Sequence, residues 1–283
     1  MTIAVASGKG GTGKTSVAVG LAWILAESGV RTTYIDCDVE EPNGHIFLDP
    51  AIDSMEDVAV PVPVVDAERC DLCGRCAEFC AYNALACLKD RVLVFPDICH
   101  GCGGCAIVCP RDAIGESPQP VGVVERGRSG AVGFLQGRLL VGAALAVPII
   151  RRLKHLVPDD GVTILDAPPG TSCPVIETLR GVDRVLLVAE PTPFGMSDLT
   201  LAVGGVREMK LPLDVVINKS GLGDGRVRDY CRDEGIEVLA EIPNDRAIAE
   251  AYARGAIPAA EIPDVSAIME SLAAKLVPEE ARR

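Results

Sequence analysis

The stretch Ile3-Ala4-Val5-Ala6-Ser7-Gly8-Lys9-Gly10-Gly11-Thr12-Gly13-Lys14-Thr15 decides the architecture. Its first four residues read as a short buried strand, and from Gly13 to Ser28 the apolar residues recur with helical periodicity. Between them, glycines at 8, 10, 11 and 13 let the backbone curl so that its N–H groups point into one concavity. A glycine loop between a strand and a helix N-terminus binds phosphate oxygens through those amides and the helix dipole. The spacing assigns Gly8, Gly10, Gly11, Thr12, Gly13 and Ser16 to nucleotide binding. Lys14 then reaches the β- and γ-phosphates, and Thr15 ligates Mg²⁺.

Working outward, residues 31–36 read as the second strand, and 162–165, 185–188, 215–217 and 238–239 are later apolar runs, each separated from the next by a helix-length segment. Strands alternating with helices predict an α/β fold with a mainly parallel sheet.

Residues 61–118 break that rhythm. They hold two cysteine runs, Cys70-x2-Cys73-x2-Cys76-x3-Cys80 and Cys99-x2-Cys102-x2-Cys105-x3-Cys109, repeated at an offset of 29 residues. The same offset superposes Asn83-Ala84-Leu85 on Asp112-Ala113-Ile114, so a structural unit is duplicated, not thiols alone. Each run has the spacing of a bacterial ferredoxin site, whose fourth thiolate serves the other cluster. The expected ligand sets are Cys70, Cys73, Cys76 and Cys109 for one [4Fe–4S] cluster, and Cys80, Cys99, Cys102 and Cys105 for the second. Only the second run ends in proline, Cys109-Pro110 against Cys80-Ala81. Zinc is the competing metal, but zinc ribbons use pairs of C-x2-C. Disulfides are the other alternative, disfavoured without an export signal. Prolines at 61, 63, 118 and 120 bracket the segment and predict two domains: residues 1–60 with 119–283, and a small α+β ferredoxin-like insert, 61–118.

Lys9 is not required by a plain phosphate loop. With it, Lys9-Gly10-Gly11-Thr12-Gly13-Lys14-Thr15 resembles the deviant Walker A motif of the MinD/Mrp/ParA family of P-loop ATPases. The resemblance extends over nearly the whole chain outside the cysteine segment. It implies that Lys9 reaches across a nucleotide-bound dimer to the partner's phosphates. It also implies that Asp38 orients the attacking water, that Asp36 stands near Mg²⁺, and that Asp166 ligates Mg²⁺ through water in Leu165-Asp166-Ala167-Pro168-Pro169-Gly170-Thr171. Lys9, Lys14 and Asp38 are therefore the catalytic candidates. Asn218-Lys219-Ser220-Gly221 occupies the base-recognition position; with glycine where GTPases carry aspartate, ATP is favoured and Asn218 bonds the adenine.

The formal charge of −13 argues against nucleic acid as the main partner. No secretory signal precedes the loop, and residues 267–283 lack a strongly basic face, so a cytoplasmic protein without direct membrane anchor is expected. The apolar residues 139–150 are too short to span a bilayer and are expected to form a buried helix. Cys37, Cys87 and Cys231 read as small buried residues. Cys173 lies just past the Walker B stretch, where nitrogenase iron protein places a bridging-cluster cysteine, but no second such cysteine is found near residues 127–137.

The leading expectation is an ATPase that couples nucleotide-driven dimerisation to electron transfer or to iron–sulfur or metal-cofactor handling. It would pair with itself or a paralogous ATPase and serve a redox or cofactor partner protein. A cluster carrier of Mrp type and a redox-sensing spatial regulator of the cell-division or partition type are the alternatives.

Overall fold

In the computed structural model, which describes residues 1–282, eleven strands and eleven α-helices follow the chain. The first part runs β1 (Thr2–Ala6), α1 (Lys14–Glu27), β2 (Thr32–Asp36), α2 (Gly44–Leu48) and β3 (Ala51–Val65). Next come α3 (Arg75–Phe79), β4 (Leu85–Cys87), β5 (Val92–Val94), α4 (Gly104–Ile107), β6 (Ile114–Ser129) and β7 (Val132–Leu139). Then follow α5 (Val147–His155), β8 (Val162–Asp166), α6 (Cys173–Leu179), β9 (Arg184–Ala189), α7 (Pro193–Glu208) and β10 (Leu213–Ser220). The chain closes with α8 (Arg226–Asp233), β11 (Val238–Pro243), α9 (Arg246–Ala253), α10 (Pro258–Glu261) and α11 (Pro263–Leu276).

Nine strands form one sheet in the order β11-β10-β9-β1-β8-β2-β7-β6-β3. From β11 to β7 each neighbouring pair is parallel. The two-residue link Gly130-Ala131 between β6 and β7 can close only an antiparallel hairpin. The fold is thus α/β with a mostly parallel sheet. Ile3, Ala4 and Val5 of β1 are fully buried, as a central parallel strand covered on both faces must be. Helix α1 is buried over most of its surface, and α11 packs beside it through Met269, which reaches to within 3.2 Å of where a Cβ on Gly20 would stand.

The chain divides into two compact units, 1–55 with 124–138 and 150–283, and 56–123 with 139–149; the boundaries fall within β3, β6, β7 and α5. The prolines read as boundary markers lie inside β3 and β6. Pro61 and Pro63 are tolerated because β3 is the sheet's outermost strand, where a missing N–H costs no ladder bond on the side away from β6; there Pro61 meets Gly101, on which a Cβ would stand 3.0 Å from its Cδ.

The expected helix over 139–150 is corrected. β7 ends at Leu139, residues 140–146 are irregular, and the helix begins at Val147. Gly142 takes φ +88°, outside the helical region, while Pro148 sits at the favoured first turn of α5. Leu140 and Val141 are exposed, and only Ala146, Ile149 and Ile150 behave as the buried residues expected there. No helix among the described residues is long and apolar enough to cross a membrane.

Candidate functional site

In an open parallel sheet, binding sites form beyond the carboxyl ends of the strands. Here the loop after β1 encloses, with the ends of β2, β10 and β11, a cavity of about 450 Å³. Lys9, Gly10, Gly11, Thr12, Gly13, Lys14, Thr15 and Ser16 all line it, as do Asp38 and Asn218. Gly8 lies behind the loop: a Cβ there would stand 2.3 Å from the Asp198 carbonyl oxygen, so glycine is required for α7 to pack against the loop. Gly13 takes φ +87°, and a Cβ would meet Asn218 Nδ2 at 2.1 Å. The loop has one orphan, the buried Thr12 Oγ1, which has no hydrogen-bond partner among the described residues.

Register puts the acidic residues together. Asp36 and Asp166 end the adjacent parallel strands β2 and β8 as direct Cα partners. Both are fully buried, and the Lys14 ammonium pairs with Asp166. Burial alone would lower the Lys14 pKa, but Asp166, Asp36 and Asp38 together turn the net shift upward. The carboxyl of Asp38 is pushed up to about 6, chiefly by burial, with Lys14 opposing and Asp166 adding to the shift. Burial and Asp166 likewise hold Asp36 well above the usual carboxylate range.

Asp36 has a second task. Its Oδ1 accepts from the Asp38 N–H at 3.0 Å, and its Oδ2 from the N–H groups of Asn43 at 3.1 Å and Gly44 at 2.9 Å. Both oxygens thus hold the turn that carries Asp38. Asn218 is also engaged, since Nδ2 donates to the Thr12 carbonyl at 2.7 Å and so braces the loop. On the far side the cavity is closed by residues absent from the sequence reading, among them Ile242, Pro243, Ile248 and Tyr252.

Three further residues escaped the sequence reading. Tyr34 is fully buried in β2 and donates its hydroxyl to Asp166 Oδ2 at 2.9 Å. Room for that ring comes from Gly44, where a Cβ would stand 2.2 Å from the Tyr34 oxygen. Glu190, directly after β9, holds Lys9 with Oε2 at 3.3 Å from Nζ and also pairs with Lys219. Lys219 Nζ donates as well to the Gly11 carbonyl at 2.9 Å. The available signal was position: Glu190 and Lys219 stand at the carboxyl ends of β9 and β10, the two strands flanking β1 on one side.

The cysteine segment is a backbone repeat as well as a sequence repeat. Positive φ recurs at the 29-residue offset in Leu72 and Gly101, Gly74 and Gly103, and Asn83 and Asp112. Gly74 and Gly103 are the left-handed N-caps of the short helices α3 and α4. Cys80 Sγ accepts from the Ala84 N–H, and Cys109 Sγ from the Ala113 N–H, each at 3.3 Å. Two small cavities result. One is lined by Cys70, Cys73, Cys76 and Cys109, the other by Cys80, Cys99, Cys102 and Cys105. Each therefore gathers three thiols of one run and the fourth of the other.

The two cavities differ in their remaining walls. Asp71 and Arg111, paired at 2.9 Å, line the first, whereas Phe79, Tyr82 and His100 line the second. The rings of Tyr82 and His100 stack with centroids 3.5 Å apart. Among the described residues no three or more His, Cys, Asp or Glu side chains are grouped to enclose a single metal ion. Cys37 and Cys231 are buried, Cys87 is half-buried beside Leu72, and Cys173 is exposed at the start of α6.

Residues 3–259 match the family described as CobQ/CobB/MinD/ParA nucleotide binding domain. An uncharacterized protein of Methanocaldococcus jannaschii is 29% identical over 266 residues, 90% of each chain. A Pyrococcus abyssi protein named iron-sulfur cluster carrier protein is 27% identical, over 97% of this chain and 85% of its own. Among solved structures, the septum site-determining protein MinD of Pyrococcus horikoshii, complexed with Mg-ADP, superposes with a TM-score of 0.61 at 16% identity, covering 98% and 96% of the two chains. Loop, sheet order and family match agree, and the chain belongs to the CobQ/CobB/MinD/ParA nucleotide-binding family.

Proposed function

We propose that the protein is an ATPase in which Mg-ATP draws two copies together and that this pairing governs electron delivery by two resident [4Fe–4S] clusters. The observation that carries this reading is the crossing of the thiols: each small cavity is completed by a cysteine from the other run. A zinc ion needs four ligands about 2.3 Å from one centre. The larger cubane needs four thiolates spread around it, and each cavity is walled by four thiols.

At the nucleotide cavity, the loop amides and Lys14 hold the phosphates, and the orphan Thr12 hydroxyl is available to an acceptor there. Thr15 and Asp166 are the protein groups for Mg²⁺, a cation that keeps several waters and needs few protein ligands. Tyr34 holds the Asp166 carboxylate in orientation, and Asp36 fixes the turn presenting Asp38, which orients the attacking water. Asn218 braces the loop at the Thr12 carbonyl while serving the base, and Lys9 serves the second copy's phosphates. When bound, the clusters supply one-electron storage. The chain's part is to present the thiolates, and the N–H groups of Ala84 and Ala113 stabilise charge on the two crossing sulfurs.

A second reading, that the protein carries clusters as cargo, is favoured by the Pyrococcus abyssi relative's name. Burial of Cys76, Cys99 and Cys105 favours residence instead. Anaerobic purification with iron and sulfide quantitation distinguishes them. About eight irons per chain are expected, with Cys109→Ser disturbing the centre built on the first run and Cys80→Ser the centre built on the second. A zinc-only protein overturns the iron–sulfur reading, and rapid ATP-stimulated loss of iron to an apo-protein replaces residence by carriage.

A further inference from the structure

Glu190 is a carboxylate beside the phosphate loop that the mechanism above leaves unused. It is buried at the end of β9, next to the strand that carries the loop. One oxygen faces Lys9 at 3.3 Å, the other accepts from Lys219, and Lys219 in turn grips the Gly11 carbonyl. Two ammonium groups thus share one carboxylate, and their positions are unequal. Lys219 is tied to the loop backbone as well, so its departure would loosen the loop itself. For Lys9 no second partner appears among the described hydrogen bonds and ion pairs, and a third of its side chain is exposed. Removing Lys9 leaves Glu190 still paired, which avoids the penalty of an isolated buried charge.

We propose that Glu190 is a positioning residue for Lys9, holding its ammonium against its own chain and releasing it to a second copy when the two close on nucleotide. The proposal rests on the reading that Mg-ATP pairs two copies. It makes Lys9 a guarded group, so that the loop presents no free cation to the partner until the phosphates compete for it. A half-exposed ion pair contributes a factor of about two to five to an equilibrium. Two such contacts open per dimer, so their loss should favour association by about four- to twenty-five-fold.

The test uses the full chain and Glu190→Gln, whose amide oxygen still accepts from Lys219 but carries no charge to hold Lys9. Dimerisation with Mg-ATP is followed by sedimentation velocity, turnover by phosphate release, and ATP affinity by a fluorescent analogue, which also reports an intact loop. The expected result is a dimer association constant raised about four- to twenty-five-fold, with nucleotide affinity within about twofold of wild type and the gain abolished in the Lys9→Ala background. An unchanged dimer constant, or a gain that survives in Lys9→Ala, overturns the role of Glu190. A wild-type chain that binds ATP yet stays monomeric overturns the proposed function itself, and the guard with it.

Discussion

Beneath the phosphate loop, Ile3, Val5, Ile164 and Leu186 are fully buried members of one extended apolar cluster that also takes in α1 and α11. The cysteine segment has a cluster made of Leu85 with Cys76 and Cys105, two of which are expected metal ligands. The nucleotide cavity therefore owes its shape to a sheet that is complete without any ligand. The thiol cavities owe theirs to short helices, left-handed turns and a three-residue core. A segment of that size ordinarily requires metals or disulfides to hold together. The difference separates a region that is preorganised for its ligand from one that, on the proposed reading, gains its fold and its ligand together.

Three measurements break or sharpen that contrast. The largest effect is expected from removing iron with a chelator under reducing conditions. Hydrogen exchange across residues 70–114 should accelerate by at least about a hundredfold, while β1, β8 and β9 keep their protection. Equal protection in the two regions would show that the cysteine segment folds on its own core. Next is Gly13→Ala, which forces a Cβ to within 2.1 Å of Asn218 Nδ2 at φ +87°. Left-handed backbone costs a side-chain-bearing residue about 1–2 kcal/mol, and with the clash ATP affinity should fall by about a hundredfold in a calorimetric titration while both cysteine cavities keep their iron. Unchanged affinity would mean that the loop adapts and is not preformed. The smallest effect belongs to Tyr34→Phe, which deprives Asp166 of a buried donor. It should cost about 1–3 kcal/mol in denaturant unfolding and weaken Mg²⁺-dependent turnover more than nucleotide binding. A neutral outcome would show that Lys14 alone orients Asp166.

Legibility in the sequence follows the same division between contiguous and assembled features. Residues 8–16 were readable because loop, lysine and hydroxyl are consecutive, and all but Gly8 line the cavity. The crossed thiol sets were readable because the C-x2-C-x2-C-x3-C spacing is that of two-cluster ferredoxins, whose fourth thiolate serves the other cluster, and both cavities are lined accordingly. Glu190 and Tyr34 were not, because their relevance depends on strand order: β9 lies next to β1, and β2 next to β8. For Asp36 and Asn218 the expected roles were a place near Mg²⁺ and a hydrogen bond to adenine. Their hydrogen bonds, to a turn and to the loop backbone, depend on how the chain returns from distant segments. The long strands β3 and β6 escaped because their four prolines suggested breaks. Residues 139–150 misled because their apolar content carried no information about the left-handed Gly142.

Pro61 and Pro63 have a consequence beyond marking an edge. A fifteen-residue outermost strand would otherwise offer an uninterrupted row of backbone donors and acceptors to any extended peptide. Two residues without an N–H, spaced so that both fall on the same side of the strand, leave that row gapped. The ladder therefore stops chemically where the cysteine segment closes over the strand: a Cβ on Gly101 would stand 3.0 Å from the Pro61 Cδ and 3.2 Å from its carbonyl oxygen, and both prolines line the second cysteine cavity.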